Sequence, residues 1–195
     1  MNRKPCLFCS WEDDLKRVQS KLKKQAKDIS IVDMAENCPE GTNKPWKSQF
    51  LAANEYFFAI LSRDAKTKGH ALIISRKHFS GISDETLSQQ KNEYKIAFFD
   101  FVTNFAQKIA PLTKDLEFPK IFVMSVCEHW ADRELDSRGC QYHTEHFHVH
   151  LIPRSKELRR SLPEYCPESL FIRPDERVNE NELQDLRKKI LRSDF

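Results

Sequence analysis

Apolar residues fall at steps of three and four from Ser10 to about Ser30, at Leu15, Val18, Leu22, Ala26 and Ile29, while Lys16, Arg17, Lys21, Lys23, Lys24 and Lys27 take the other faces. That period predicts an amphipathic helix, capped by Ser10 and with Asp13 and Asp14 at the positive end of its dipole. Two prolines and a glycine between Asn37 and Ser48 predict a loop. Phe50 to Ser62 and His70 to Ser75 are rich in aromatic and β-branched residues and are parted by the Lys68-Gly69 turn. They predict strands joined by a hairpin-like connection, with Arg76, Lys77 and His78 ending the second. From near Ser83 or Asp84 a long helix is expected, because Tyr94, Phe98, Phe101, Phe105 and Ile109 repeat at helical spacing before Pro111 stops it. Ile121 to Cys127 and Tyr142 to Ile152 read as strands, Arg133 to Gly139 as a charged loop, and Glu180 to Leu191 as a helix in a polar tail. Strands flanking one long helix without regular βα alternation predict an α+β fold with a largely antiparallel sheet.

Composition bounds this picture. With 195 residues, 39% hydrophobic content and fourteen phenylalanines, the chain can fill one core, so one domain over residues 1–195 is expected. A net charge of +3 on a surface rich in both signs implies mild attraction to anions, and phosphorylated small molecules satisfy it as well as nucleic acid. No apolar run approaches the roughly 20 residues of a membrane span, and Met1 to Trp11 lacks a signal peptide's apolar stretch, so a cytoplasmic protein without a membrane partner is expected. Six cysteines without a secretion signal suggest thiols or metal ligands rather than disulfides. Cys6 and Cys9 form the close pair that one cation can bridge, and the others read as small buried hydrophobes.

The densest chemical signal is the run from His146 to Ile152, in which His146, His148 and His150 alternate with Phe147, Val149 and Leu151. On a strand this puts three imidazoles on one face and three apolar side chains in the core. Three readings fit that face. The imidazoles can hold zinc with an open coordination position for hydrolysis. One can act as a nucleophile on phosphorus while its neighbours fix its tautomer and bind phosphate oxygens. Or all three are satisfied surface histidines.

The stretch HFHVHLIPR from His146 to Arg154 resembles the His-φ-His-φ-His-φ-φ signature of the histidine-triad superfamily, φ being apolar. CLFC at Cys6 to Cys9 is similar to the Cys-x-Phe-Cys start of its zinc-bearing branch, and KGHALIISRKH at Lys68 to His78 to that family's Lys-Gly-His-Thr-Leu-Val-Ile-Pro-Lys-x-His segment. The resemblance implies a nucleotide hydrolase or nucleotidyltransferase. His148 would form a nucleotidyl-histidine at the α-phosphate, and His150 would help to bind and orient that phosphate. It further implies a closed, structural zinc site at Cys6, Cys9, His78 and His146, and a homodimer paired through the long helix and an edge strand. Residues 10–48 then form an insertion and residues 156–195 a C-terminal extension.

Two places depart from the family pattern. Relatives carry Gly-Gln four to five residues before the first histidine and a small hydroxyl residue three before it, where this chain has Gln141, Tyr142 and His143. Gln141 remains a candidate phosphate contact. Relatives also place an acidic residue seven before the glycine of Gly-His, where it grips the ribose; here Leu61 and Ser62 occupy that region, with Asp64 nearby. Substrates in view are nucleoside phosphoramidates, dinucleoside polyphosphates and adenylated compounds, adenylated nucleic-acid ends included. Two rivals stand beside this reading: a zinc hydrolase using all three histidines as ligands, and a nucleotide-binding adaptor without turnover.

Overall fold

Five short strands form one antiparallel sheet: β1 Phe50–Ala53, β2 Phe57–Leu61, β3 Ala71–Ser75, β4 Ile121–Met124 and β5 His148–Pro153, in the order β1-β2-β3-β5-β4. The computed structural model describes residues 6–38, 49–62, 67–81, 84–113, 121–125, 146–153 and 180–192. The expected charged loop at 133–139, most of the loop at 37–48, and Gln141, Asp64, Cys127, Cys140 and Cys166 lie outside the described residues. The helices are α1 Leu7–Leu22, α2 Ile31–Asn37, α3 Glu85–Ser88, α4 Asn92–Ile109 and α5 Glu180–Arg192. The expected α+β architecture with an antiparallel sheet is what forms.

Strands β2 and β3 are buried on both faces, which explains why they read as continuous apolar runs rather than alternating ones. Under one face lie Phe57, Ala59, Leu61, Ala71, Ile73, Val149 and Leu151, packed with Tyr94, Val102, Phe105 and Ile109 of α4 and with Leu186 and Ile190 of α5. On the other, Phe50, Phe58, Ile60, Leu72 and Ile74 meet Phe8, Trp11, Leu15 and Val18 of α1 and Met34 of α2. The N-terminal helices therefore roof the histidine-bearing face, and the C-terminal helix belongs to the main core although its sequence surroundings are polar.

Several boundaries differ from expectation for identifiable reasons. Helix α1 starts at Leu7 with Cys6 in the cap position, not at Ser10. It stops at Leu22 because Lys23 turns left-handed at φ 55. The apolar spacing nonetheless continues, since a 3-10 turn at Ala26–Asp28 and its successor bury Ala26 and Ile29 in the same cluster. Ser30 then caps α2 through a reciprocal box with Asp33, which forms a second helix over residues with no expected element and reaching Asn37, where the expected loop begins. Asn54 splits the apolar run Phe50 to Ser62 into a hairpin: its side-chain oxygen accepts from the backbone N–H groups of Tyr56 at 2.8 Å and Phe57 at 2.7 Å. The long helix is two, with Asp84 capping α3 and extended Lys91 preceding α4. Gly69, at φ 83, makes the turn into β3 that a residue with a Cβ would resist.

Candidate metal centre and histidine relay

Residues from three separate segments meet where α1 begins. Cys6 and Cys9 sit on its first turn, His78 follows the end of β3, and His146 immediately precedes the β5 segment. Their donor atoms, two Sγ and two imidazole nitrogens, lie within 4.8 Å of one another. Cys6 Sγ is 3.4 Å and Cys9 Sγ 3.6 Å from His146 Nδ1, Cys9 Sγ is 3.3 Å from His78 Nδ1, and the two Nδ1 atoms are 3.2 Å apart. Tetrahedral zinc with bonds of about 2.0 to 2.3 Å requires donors separated by about 3.3 to 3.8 Å, so this set fits a four-coordinate ion. Orientation fits as well: His146 Nε2–H donates to the Ser75 carbonyl at 2.7 Å, which leaves the Nδ1 lone pair aimed at the cluster. Burial lowers the His146 pKa to about 4 and keeps that lone pair unprotonated, while burial and the adjacent Cys6 raise the Cys9 thiol to about 12 in the metal-free protein.

Both nitrogens of His146 are thereby committed. A three-histidine zinc site at His146, His148 and His150 has no nitrogen left for it on the first member, and the described residues supply the Cys2His2 set instead.

The rest of the row behaves differently. His148 Nδ1 lies 2.7 Å from the His146 carbonyl, an acceptor only, so Nδ1 carries the proton. Burial lowers the His148 pKa, opposed by this hydrogen bond, and the ring is neutral with its lone pair on Nε2. His150 Nε2, 3.1 Å away, must then donate to it. His150 Nδ1 lies 2.9 Å from His70 Nε2, so the three rings form a continuous row of hydrogen-bond contacts from His70 through His150 to His148. His148 is 5% exposed and His146 fully buried, which removes the surface-histidine reading.

The remaining sequence candidates separate by sheet face. The pairs Ile74↔His148 and Leu72↔His150 across β3 and β5, and Phe58↔Ile74 and Ile60↔Leu72 across β2 and β3, put the even-numbered residues of all three strands on one side. Ser62 continues that parity beyond β2, and its N–H donates to the His70 carbonyl at 2.9 Å. Leu61 points the other way into the main core, so its side chain is separated from the histidines by the sheet; its carbonyl accepts from Gln49 Nε2 at 2.6 Å.

Three contributors went unassigned in the sequence. His70 joins this row, and its parity with Leu72 and Ile74 was the available signal. Ser75 orients His146 through its carbonyl, which no side-chain pattern reports. Arg76 grips buried Glu12 of α1 through Nε and Nη2 at 2.9 to 3.0 Å and donates from Nη1 to the Asn54 carbonyl at 2.8 Å, docking α1 beside the metal centre.

A scan against protein-family models finds no match, and neither does a search of curated proteins. Solved structures do resemble the fold. A hypothetical histidine triad nucleotide-binding protein from Sulfolobus tokodaii is 20% identical with a TM-score of 0.47, over 73% of this chain and 80% of that one. Diadenosine triphosphate hydrolase from Plasmodium falciparum, in complex with Cyclomarin A, is 14% identical with a TM-score of 0.47, over 91% and 94%. A Zn-bound histidine triad family protein from Mycobacterium smegmatis is 19% identical with a TM-score of 0.41, over 72% and 82%. At such identities and TM-scores, the chemistry rests on this chain's own residues.

Proposed function

We propose that this chain is a histidine-triad nucleotide hydrolase or nucleotidyltransferase in which His148 Nε2 attacks the α-phosphate of a nucleotide. The observation that carries the reading is the hydrogen bond from His148 Nδ1 to the His146 carbonyl at 2.7 Å, because it leaves a neutral imidazole with its lone pair on the nitrogen away from the backbone. In the first step an Nε2–P bond forms as the bond from phosphorus to the leaving group breaks, and the leaving atom takes a proton. That proton comes from solvent, and His150 Nε2–H, now 3.1 Å from His148 Nε2, is the nearest imidazole hydrogen-bond donor to the leaving atom or to a phosphate oxygen. In the second step water or another acceptor attacks phosphorus, the N–P bond breaks and the free imidazole returns. Nucleoside phosphoramidates, dinucleoside polyphosphates and adenylated compounds share the required α-phosphate.

Zinc at Cys6, Cys9, His78 and His146 would be structural, since four protein donors close the coordination sphere. The chain works as a cytoplasmic homodimer in this reading. No described helix is long and apolar enough to cross a membrane. The aromatic stripe of α4 is largely used within the chain, Phe98 packing on Phe57 and Phe147, but Ile96 and Phe99 on its outer side and Val123 on β4 are 60%, 66% and 54% exposed and supply apolar surface for pairing. Light scattering at tens of micromolar checks the dimer.

The deciding experiment incubates the protein with labelled nucleotide esters and phosphoramidates, quenches it and weighs the intact chain. A nucleotide adduct on wild type that is missing from His148→Asn is expected. A chain that binds nucleotide without adduct or turnover is the adaptor instead.

A further inference from the structure

The turn that presents the two cysteines also presents Phe8 between them, and this ring has no role in the chemistry described so far. It is 4% exposed. Its centroid lies 5.2 Å from that of His148 at 63°, 5.6 Å from His146 at 84° and 5.5 Å from Trp11. The bond from His148 Nδ1 to the His146 carbonyl fixes one atom of the ring, and the contact of His150 with its Nε2 is given up once that nitrogen turns to phosphorus, so a ring held at Nδ1 alone can pivot about that atom. Phe8 supplies the second constraint, an edge-to-face contact of the sort aromatic rings prefer.

What fixes Phe8 in turn is divided between two anchors. Downstream, Glu12 is held by Arg76, and Leu15 and Val18 are buried, so the body of α1 stays docked whatever happens at its first turn. Upstream, Cys6 in the cap position makes no side-chain cap hydrogen bond, and Cys6 and Cys9 approach His78 and His146 at 3.3 to 3.6 Å. A cation bound there would fasten the turn on both sides of Phe8.

We propose that Phe8 is a positioning residue for His148, pressed against that imidazole by the cysteine turn when a metal ion holds Cys6 and Cys9. The closed site then governs the reacting geometry without touching substrate, an inference that rests on the zinc and nucleophile readings above.

The test uses the full zinc-loaded chain, with Phe8→Ala and the milder Phe8→Leu. Both variants should keep wild-type zinc content, because no ligand is changed. In Phe8→Ala, kcat should fall by about tenfold with KM changed less than about threefold, and Phe8→Leu should recover most of the loss. Independently of activity, carbethoxylation of His148 by diethyl pyrocarbonate, located by peptide mass mapping, should run about tenfold faster in Phe8→Ala than in wild type, an accessibility change of about 1.4 kcal/mol. Stripping zinc from wild type should accelerate labelling to the same degree, and stripping it from Phe8→Ala should add little. Zinc uptake with His148 labelled at the wild-type rate in Phe8→Ala overturns the proposal alone, as does equal acceleration by zinc removal in both proteins. A chain that takes up no zinc overturns it together with the metal reading.

Discussion

His146 and His148 stand two residues apart and are the same residue type, yet the fold gives them opposite surroundings. At His146 both ring nitrogens are engaged, one by the Ser75 carbonyl and one by the Cys2His2 cluster, and the ring is fully buried. At His148 one nitrogen is held by a carbonyl and the other, among the described residues, faces a neighbouring imidazole, a partner that can turn away to another acceptor. The difference comes from what packs over each: the cysteine turn of α1 closes the first, while the row from His148 through His150 runs on to His70. A repeated residue on one strand face therefore does not imply a repeated function. The backbone carbonyls of Ser75 and His146 and the element packed above decide which ring nitrogen each histidine leaves open.

The sharpest break of this comparison is removal of the imidazole at the reactive end. His148→Asn should lower turnover by at least about a thousandfold, because a nucleophile has no substitute, and leave folding and zinc content intact. Retention of a tenth of the rate, as an order-of-magnitude threshold, assigns the nucleophile elsewhere.

At the closed end the opposite split is expected. Cys9→Ser should abolish stoichiometric zinc and lower stability by several kcal/mol, on the order of the loss of a ligand from a structural site, with the midpoint read by thermal denaturation. A nucleotide adduct should still form at low temperature, where the protein stays folded. Loss of the adduct without any loss of stability would make the centre catalytic and erase the distinction between the two ends. The docking of α1 supplies a control at the same location: Glu12→Ala leaves half-buried Arg76 without its carboxylate and should cost about 2 kcal/mol while zinc remains bound.

How far the sequence reaches differs between these ends in the same way. The alternation from His146 to Ile152 correctly sends Phe147, Val149 and Leu151 to the core, because a strand's period of two is a backbone property. The four metal donors were legible only through resemblance, since Cys6, Cys9, His78 and His146 converge over up to 140 positions of separation. Tautomers were not legible at all: the carbonyls of Ser75 and His146 that set them belong to the backbone and leave no mark on residue type. The extent of α1 was misjudged because Ala26 and Ile29 satisfy the helical spacing through tertiary burial after the helix has ended. Likewise α5 looks like part of a polar tail, but Leu186 and Ile190 are enough to bring it into the core.

The row predicts a smaller effect one imidazole further along. In His70→Asn the contact at His150 Nδ1 is lost or repositioned, so His150 can exchange tautomers and no longer reliably offers Nε2–H to His148 or to the leaving atom. A loss of about tenfold in kcat is expected, larger for substrates with a poor leaving group than for activated ones, with KM little changed. Equal losses for both substrate types would give His70 a part in the fold and none in the reaction.

The smallest effect belongs to the far edge of the same face, where Ser62 stands in the region that relatives give to a ribose-binding acid. Its parity puts it on the side of His70 and His150, and its N–H is already used by the His70 carbonyl, which leaves the hydroxyl as its contribution to a sugar. Hydrogen bonds to a charged acceptor contribute about 1.5 to 3 kcal/mol against about 1 for neutral ones, and a carboxylate can accept from two hydroxyls at once. A serine in its place should leave little preference for ribose over deoxyribose, with kcat/KM ratios below about tenfold for matched substrates. Ser62→Asp then sharpens the comparison, because a carboxylate at that point should raise the ratio if the sugar sits there and should leave it unchanged if it does not. A wild-type preference above about a hundredfold, near 2.7 kcal/mol, would mean that another carboxylate of this chain reaches the ribose and that the open end of the row extends beyond Ser62.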